Sequence, residues 1–284
     1  MGEKLLPAER RAHLEELETK AYEAFVLQAE EAAIDIRKFE DKYPAKEIAH
    51  DQAYVADRQG KFNQQERSRN RRGKILEALI FVQSELNNWF GDNAFTVKTS
   101  TYDDIANGVD LVIELVDHDG VSRLALAIDV ASTEDEEYLT GKLLKIKKEV
   151  EEGRLSTVKY FQSEAQEDFK EPLLHIPRVV LAADTKTYQS LLELSVENKR
   201  EELATHQVQR QFLEEIGLQL ARLIPFSSGE ASKKLTTALT LIQGILKGKE
   251  NISTNFRHED QAYVMLRSIL DRMAQEKKSL TAKK

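Results

Sequence analysis

The sequence predicts an α/β protein in which a mixed central sheet is flanked by helices, with a helical arm before it and a helical extension after it. Apolar residues recur at helical spacing in residues 1–60 and again in residues 186–284. Between them, residues 61–185 contain short apolar runs of strand length, separated by turn residues and by helical stretches. We therefore expect the arm in 1–60, the α/β core in 61–185 and the extension in 186–284.

The arm carries a narrow apolar seam that predicts a long helix. Apolar side chains recur there at alternating spacings of three and four residues, as in a coiled coil: Tyr22, Phe25, Ala29, Ala32, Ile36, Phe39 and Tyr43. Pro44 should end this helix, and a shorter helix should follow. We expect the arm to form a helical hairpin that packs either on the core or on a second copy of the chain, which would make the protein a homodimer.

The segment that joins the arm to the core is basic, although the whole chain has a net charge of −8. Because the global field repels phosphate, any contact with nucleic acid must come from a local patch of this kind. The segment contains a single acid, Glu66, and the basic residues Lys61, Arg67, Arg69, Arg71, Arg72 and Lys74. We expect the last five to contact the backbone of DNA; the alternative is a solvated linker and helix start.

Within the core, apolar patterns and turn signals predict the elements in order. We expect a helix over 73–90, strands over 95–99, 110–116 and 124–131, a helix over 134–152, and strands over 158–163 and 177–183. Pro177 should start the last strand, with the Arg178 side chain reaching towards solvent. From Asp184 the chain should be helical as far as Pro225, and two more helices are expected over 230–247 and 257–276.

The second and third strands form a hairpin that should bring two carboxylates together. If Asp119 and Gly120 form a two-residue turn, Asp110 lies directly opposite Asp129, with their Cβ atoms about 5 Å apart. Two carboxylates that face each other repel, whereas a divalent cation between them would remove the repulsion and take their oxygens as ligands. A register slip of one residue would place them on opposite faces of the sheet.

The helix before the hairpin contributes a third acid. Glu77 is the only charged residue in the apolar stretch ILEALIFV, which implies burial on more than one side. A buried carboxylate needs a partner. The alternatives are an ion pair with an arginine and a water-linked contact to a metal ion.

The order of helix glutamate, strand aspartate, hairpin, strand aspartate and helix resembles the PD-(D/E)xK nuclease superfamily, which has a restriction-endonuclease-like core. The resemblance covers residues 71–183, less than half of the chain. It matches the helix glutamate to Glu77 in RRGKILEALI, the first strand acid to Asp110 in NGVD and the second to Asp129 in AIDVA. It implies that these three acids bind Mg²⁺ or Mn²⁺ and that the protein is a nuclease acting on DNA.

The superfamily also places a lysine two residues after the second strand acid, where it orients or activates the attacking water. Ala131 occupies that position here. Because some members carry this lysine on a neighbouring element, Lys142 on the following helix is the candidate catalytic lysine, and Lys98 on the first strand is another. The alternative for Lys142 is an ordinary surface lysine.

Composition narrows the classes of function. The absence of cysteine excludes disulfides and thiolate zinc sites and fits a reducing, cytoplasmic location. The six histidines lack the spacing of a zinc hydrolase, and no apolar run approaches the ~18 residues of a membrane span. We expect a nuclease; the alternatives are a catalytically impaired nuclease-like domain that binds nucleic acid or protein, and a helical interaction protein that uses the α/β core as a scaffold.

Overall fold

The computed structural model of the chain describes residues 7–61, 64–116 and 123–281. The α-helices are α1 (Pro7–Ala21), α2 (Leu27–Ala32), α3 (Ala45–Gly60), α4 (Gln64–Asn87), α5 (Glu136–Glu151), α6 (Thr185–Val196), α7 (Arg200–Ala204), α8 (Val208–Leu223), α9 (Gly229–Gly248), α10 (Phe256–Glu259) and α11 (Gln261–Thr281). The strands are β1 (Ala94–Lys98), β2 (Leu111–Val116), β3 (Arg123–Ser132), β4 (Ser156–Val158), β5 (Leu173–Ile176) and β6 (Arg178–Ala183). No helix in these described ranges has the length and apolar character needed to cross a lipid bilayer.

A mixed four-stranded sheet forms the centre of the fold, as predicted. Its strand order is β1-β2-β3-β6; the first three strands are antiparallel neighbours, and β6 runs parallel to β3. Strands β4 and β5 form a separate two-stranded antiparallel sheet. The sequence did not predict β5, and the strand expected over 158–163 already ends at Val158. The chain is therefore a mixed α/β protein with six described strands.

The register of the β2–β3 hairpin is the predicted one. Leu111 pairs with Ile128 and Val112 pairs with Ala127. The ladder ends at Leu111, and the backbone NH of Asp110 donates to the Ile128 carbonyl at 2.8 Å, so Asp110 lies just beyond the paired residues. The turn expected at 119–120 lies outside the described residues, but the observed register is the one that a two-residue turn there produces.

The two faces of the hairpin differ, because bulky and small side chains alternate along it. Leu111, Ile113 and Ile128 are buried in the main apolar core, together with residues of α4, α5 and α8. Val112 and Ala127 point to the other face, where a second apolar cluster includes residues of β4 and β5. The sheet is thus covered on both faces, which buries any charged group carried near its middle.

The arm is not one helix as far as Tyr43, contrary to the prediction. Its helical path ends with α2 at Ala32, and the seam residues beyond it lie in a single 3₁₀ turn, Ile36–Phe39, and in the loop that follows. Phe39 packs edge-on against Tyr160, with ring centroids 5.4 Å apart. Packing of this aromatic side chain against the core has overridden the helical periodicity.

The arm packs on its own chain. Leu17, Val26 and Ala29 are buried in the same apolar cluster as the central sheet. Helix α3 follows Pro44, as expected for the shorter second helix, and buries Ile48 against Tyr160. A homodimer through the arm stays a prediction.

The extension is helical, as predicted, but it begins with three helices where one was expected. Asn198 has a left-handed backbone (φ 55°) in the break between α6 and α7, and α8 starts at Val208. Helices α8, α9 and α11 bury apolar side chains in the core that covers the sheet. The extension and the sheet therefore share one apolar core.

Side chains of helix α8, and not another strand, form hydrogen bonds with the backbone NH and carbonyl groups on the outer edge of β6. Gln219 accepts a hydrogen bond from the Val180 backbone NH at 2.8 Å and donates one to the Val180 carbonyl at 2.7 Å. Two residues along the strand, Glu215 accepts from the Ala182 NH at 2.9 Å and Gln211 donates to the Ala182 carbonyl at 3.0 Å. These side chains recur every four residues on α8, so they face the strand as a ladder. The edge of the sheet is thereby closed.

We expect Gln219→Leu to destabilise the protein by about 2 kcal/mol or more, because it leaves a buried NH and a buried carbonyl of Val180 without partners. Urea unfolding should show a lower midpoint at an unchanged slope. The matched control is Gln243→Leu, at an exposed glutamine of α9, which should leave the midpoint nearly unchanged. Equal midpoints for the two variants would contradict the closing role of Gln219.

Candidate functional site

A cavity of about 280 Å³ lies between the end of α3, the middle of α4, the β2–β3 hairpin and α5. Its lining brings together Glu77, Asp110, Asp129 and Lys142, the four residues predicted to be catalytic. They come from four separate parts of the chain, so their meeting depends on the whole fold. Convergence of titratable groups in a cavity is typical of a functional site.

The topology explains why these side chains meet. Asp110 directly precedes β2, and its backbone NH donates to the carbonyl of Ile128, the residue before Asp129 on β3. Helix α4 packs on β1 and β3, which brings Glu77 to the same end of the hairpin. Helix α5 follows β3 after a short loop, so Lys142 returns over Asp129.

Asp110 is held in a position where its negative charge is unfavourable. Its Oδ2 accepts a hydrogen bond of 2.6 Å from the Val130 backbone NH. Burial raises the pKa of Asp110 well above its ordinary value, and the carboxylates of Asp104 and Asp129 raise it further. The group is therefore poised either to keep a proton or to accept a cation.

Glu77 pairs with a lysine, whereas the sequence suggested an arginine or a metal ion. Its carboxylate forms an ion pair with Lys98 of β1, which also donates to the Asp110 carbonyl at 3.3 Å. Burial raises the pKa of Glu77 to about 7 in spite of this lysine. Burial lowers the pKa of Lys98, but the net shift is upwards because Glu77, Asp104 and Asp110 stabilise its charge. Lys98, the second candidate lysine, is thus part of the cluster.

Lys142 is not an ordinary surface lysine. Its side chain is 20% exposed, and its Nζ lies 2.5 Å from Asp129 Oδ1. The same ammonium lies 5.0 Å from the centroid of the Tyr138 ring. Burial lowers the pKa of Lys142, but Asp129, Tyr138 and Asp110 together raise it by more, so the net shift is upwards and the group stays charged. Ala131, at the position of the usual lysine, is buried beside the cavity.

Sequence reasoning missed a fourth acid, Asp104. It lies in the π-helical turn Asp103–Asn107, and burial and Glu77 raise its pKa. The turn is fixed by its neighbour Asp103, which accepts hydrogen bonds from Ser100 Oγ at 2.7 Å and from the Lys159 backbone NH at 2.7 Å. The paired aspartates of TYDDIANG were the available signal, but no periodicity marks a turn of this kind.

The basic residues predicted to contact nucleic acid do not form one continuous patch among the described residues. The side chains of Arg67 and Arg69 lie outside the described residues, while Arg72 pairs with Glu18 of α1 at 2.8 Å. Arg71 also faces α1, where it donates to Thr19 Oγ1 at 3.1 Å.

Two other cations lie closer to the acids. Lys74 lines the cavity and pairs with Glu30 of α2 at 3.1 Å. Arg58, at the end of α3, also lines the cavity and was not predicted. A phosphate that entered the cavity would therefore meet Lys74 and Arg58 before it met Arg71 or Arg72.

The acids of the cavity are chemically suited to a hard divalent cation such as Mg²⁺, because they offer carboxylate oxygens as ligands and neither sulfur nor imidazole. Within residues 7–61, 64–116 and 123–281, however, no three acidic or histidine side chains are arranged as a ready metal site. Lys98 and Lys142 form ion pairs with Glu77 and Asp129. A cation that bound there would compete with these ammonium groups for the carboxylate oxygens.

We expect Glu77→Gln to weaken the pH dependence of stability in the metal-free protein. The pKa of Glu77 is raised from 4.5 to about 7, so the stability that its protonated form contributes is present at low pH and is lost as the pH rises through about 7. Melting temperatures measured with a chelator from about pH 4.5 to about pH 8 should fall less steeply in this variant than in the wild type. The exposed Glu202→Gln is the control; a slope for Glu77→Gln equal to that of the wild type would contradict the prediction.

Comparison with known proteins adds nothing to this geometry: no protein-family model matches the chain, and no curated protein or solved structure is significantly similar to it.

Proposed function

We propose that this chain is a metal-dependent nuclease of the PD-(D/E)xK type that hydrolyses phosphodiester bonds of DNA. The observation that supports this most directly is the meeting of Asp110, Asp129, Glu77 and Lys142 in one cavity. The order of elements along the chain also supports it: α4 precedes β1, β2 and β3, and α5 follows them before β6.

In this nuclease each residue of the cavity would have a distinct role. Asp110 and Asp129, with Glu77, would hold Mg²⁺ or Mn²⁺, which when bound lowers the pKa of a coordinated water and stabilises negative charge on the phosphoryl oxygens. Lys142, released from Asp129, would place a fixed positive charge beside the attacking oxygen. Lys74 and Arg58 would bind phosphate oxygens of the strand at the mouth of the cavity.

The second candidate is a nuclease-like domain that binds nucleic acid without cutting it. Two observations favour it: Ala131 stands at the usual lysine position, and Lys98 and Lys142 already neutralise two of the acids. In such a module the acid cluster would be a structural relic, and binding would depend on the basic residues alone.

A digestion assay separates the two candidates. Linear and supercoiled DNA would be incubated with the protein in Mg²⁺, in Mn²⁺ and in chelator, beside the control Asp168→Asn at an exposed acid. Cleavage that needs the metal and survives in the control supports the nuclease. Binding with a steep salt dependence but without cleavage in either metal would reject the nuclease and favour the binding module.

A further inference from the structure

Arg178, the first residue of β6, is buried instead of reaching solvent as predicted. Its side chain is 3% exposed. Nη1 donates to the carbonyl oxygen of Asn107 at 2.8 Å, and Nη2 lies 2.8 Å from each carboxylate oxygen of Glu149. A planar guanidinium makes such a two-sided contact in one fixed geometry, which a lysine ammonium does not reproduce.

The two partners of Arg178 belong to the two sides of the acid cavity. Asn107 ends the turn that carries Asp104, three residues before Asp110. Glu149 lies on α5 seven residues after Lys142, about two helical turns away and on the same face. One guanidinium therefore ties the segment that presents the acids to the helix that presents the lysine.

Gly108 shows how close this contact is. Its backbone is left-handed (φ 67°), and a Cβ added there would lie 2.9 Å from Arg178 Nη1. Arg178 Nη1 also lies 3.4 Å from the Gly108 carbonyl oxygen. Glycine favours this conformation, and the absence of a Cβ leaves room for the guanidinium.

We propose that Arg178 is a positioning residue that sets the spacing between the Asp104–Asp110 segment and Lys142. This role rests on the proposed nuclease function for its catalytic consequence, but the geometry that it fixes exists independently of that function. Without the contacts of Arg178, α5 and the π-helical turn that carries Asp104 would keep their own backbone structure but lose their fixed spacing.

The catalytic arm of the test compares Arg178→Lys with Arg257→Lys. Arg257 forms a similar forked bridge, to Glu214, in the helical extension and away from the cavity. We expect Arg178→Lys to lower kcat for DNA cleavage roughly tenfold with KM changed less than about twofold, because misplacement of reacting groups acts on the chemical step. Arg257→Lys should leave both constants unchanged. Equal kinetics for Arg178→Lys and the wild type would overturn the proposal.

The second arm does not depend on cleavage. Each variant would be treated with an acylating reagent, and the modification rate of each lysine would be measured by mass spectrometry. We expect Lys142 to react several-fold faster in Arg178→Lys than in the wild type, with the rate at Lys159, which Asp51 holds at 2.6 Å, unchanged. Faster labelling at both lysines would indicate general loosening and reject a positioning role, as would no change at either.

The milder variant Glu149→Gln keeps the test decisive if Arg178→Lys does not fold, and it should show the same pattern with smaller changes. If the wild type does not cleave DNA, the nuclease proposal fails and the labelling rates alone decide whether Arg178 positions Lys142.

Discussion

Asp110→Asn is expected to reduce Mg²⁺-dependent DNA cleavage by at least about 10³-fold while the protein stays as stable as the wild type or becomes more stable. Activity is lost because a neutral amide is a poor ligand for a divalent cation. Stability is kept because the amide oxygen can still accept the hydrogen bond from the Val130 NH, and because repulsion from Asp104 and Asp129 disappears.

Cleavage rates and melting temperatures, each with and without Mg²⁺, test this prediction. The wild type should melt at a higher temperature in the metal, and Asp110→Asn should lose that increase. A variant that cleaves normally would remove Asp110 from the site. A variant that unfolds more easily would show instead that its charge is stabilising in the native protein.

Lys142→Met is expected to lower kcat by roughly 10²–10³-fold with a smaller effect on DNA binding. The methionine keeps much of the length of the side chain but removes the only described cation within ion-pair distance of Asp129. The loss should be constant across the pH range in which the wild type is active, because the raised pKa of Lys142 keeps that group charged throughout.

The matched control is Lys148→Met, at an exposed lysine of the same helix. It should leave kcat and the affinity for DNA unchanged. If Lys142→Met cleaves as fast as this control, Lys142 only neutralises Asp129, and the catalytic lysine must be sought at Lys98.

The hairpin and its acids could be predicted because local rules determine them. Alternation fixes which side chains share a face, and a two-residue turn implies one register, so counting predicted the pairing of β2 with β3 and the meeting of Asp110 and Asp129 in one cavity. Glu77 could be recognised because a single charge in an apolar helix is unusual. Each of these inferences needs only neighbours in sequence or across one pair of strands.

The remaining parts of the site depend on contacts between distant segments. Asp104 lies in a π-helical turn that Asp103 anchors to residues 159 and 160. Arg178 looked like a side chain that reaches solvent, because its partners, Asn107 and Glu149, are 71 and 29 residues away. The arm also deviates from its helical pattern because of a distant contact: the Phe39 ring packs against the ring of Tyr160. Periodicity carries no information about such partners.

The ladder of Gln211, Glu215 and Gln219 on α8 has a consequence for the size of the folding unit. A chain that stopped after β6 would present free amide and carbonyl groups to other copies, which could then add strands and polymerise. The helical extension therefore protects the protein from strand addition at this edge, and the smallest fragment that folds without an open sheet edge must include α8.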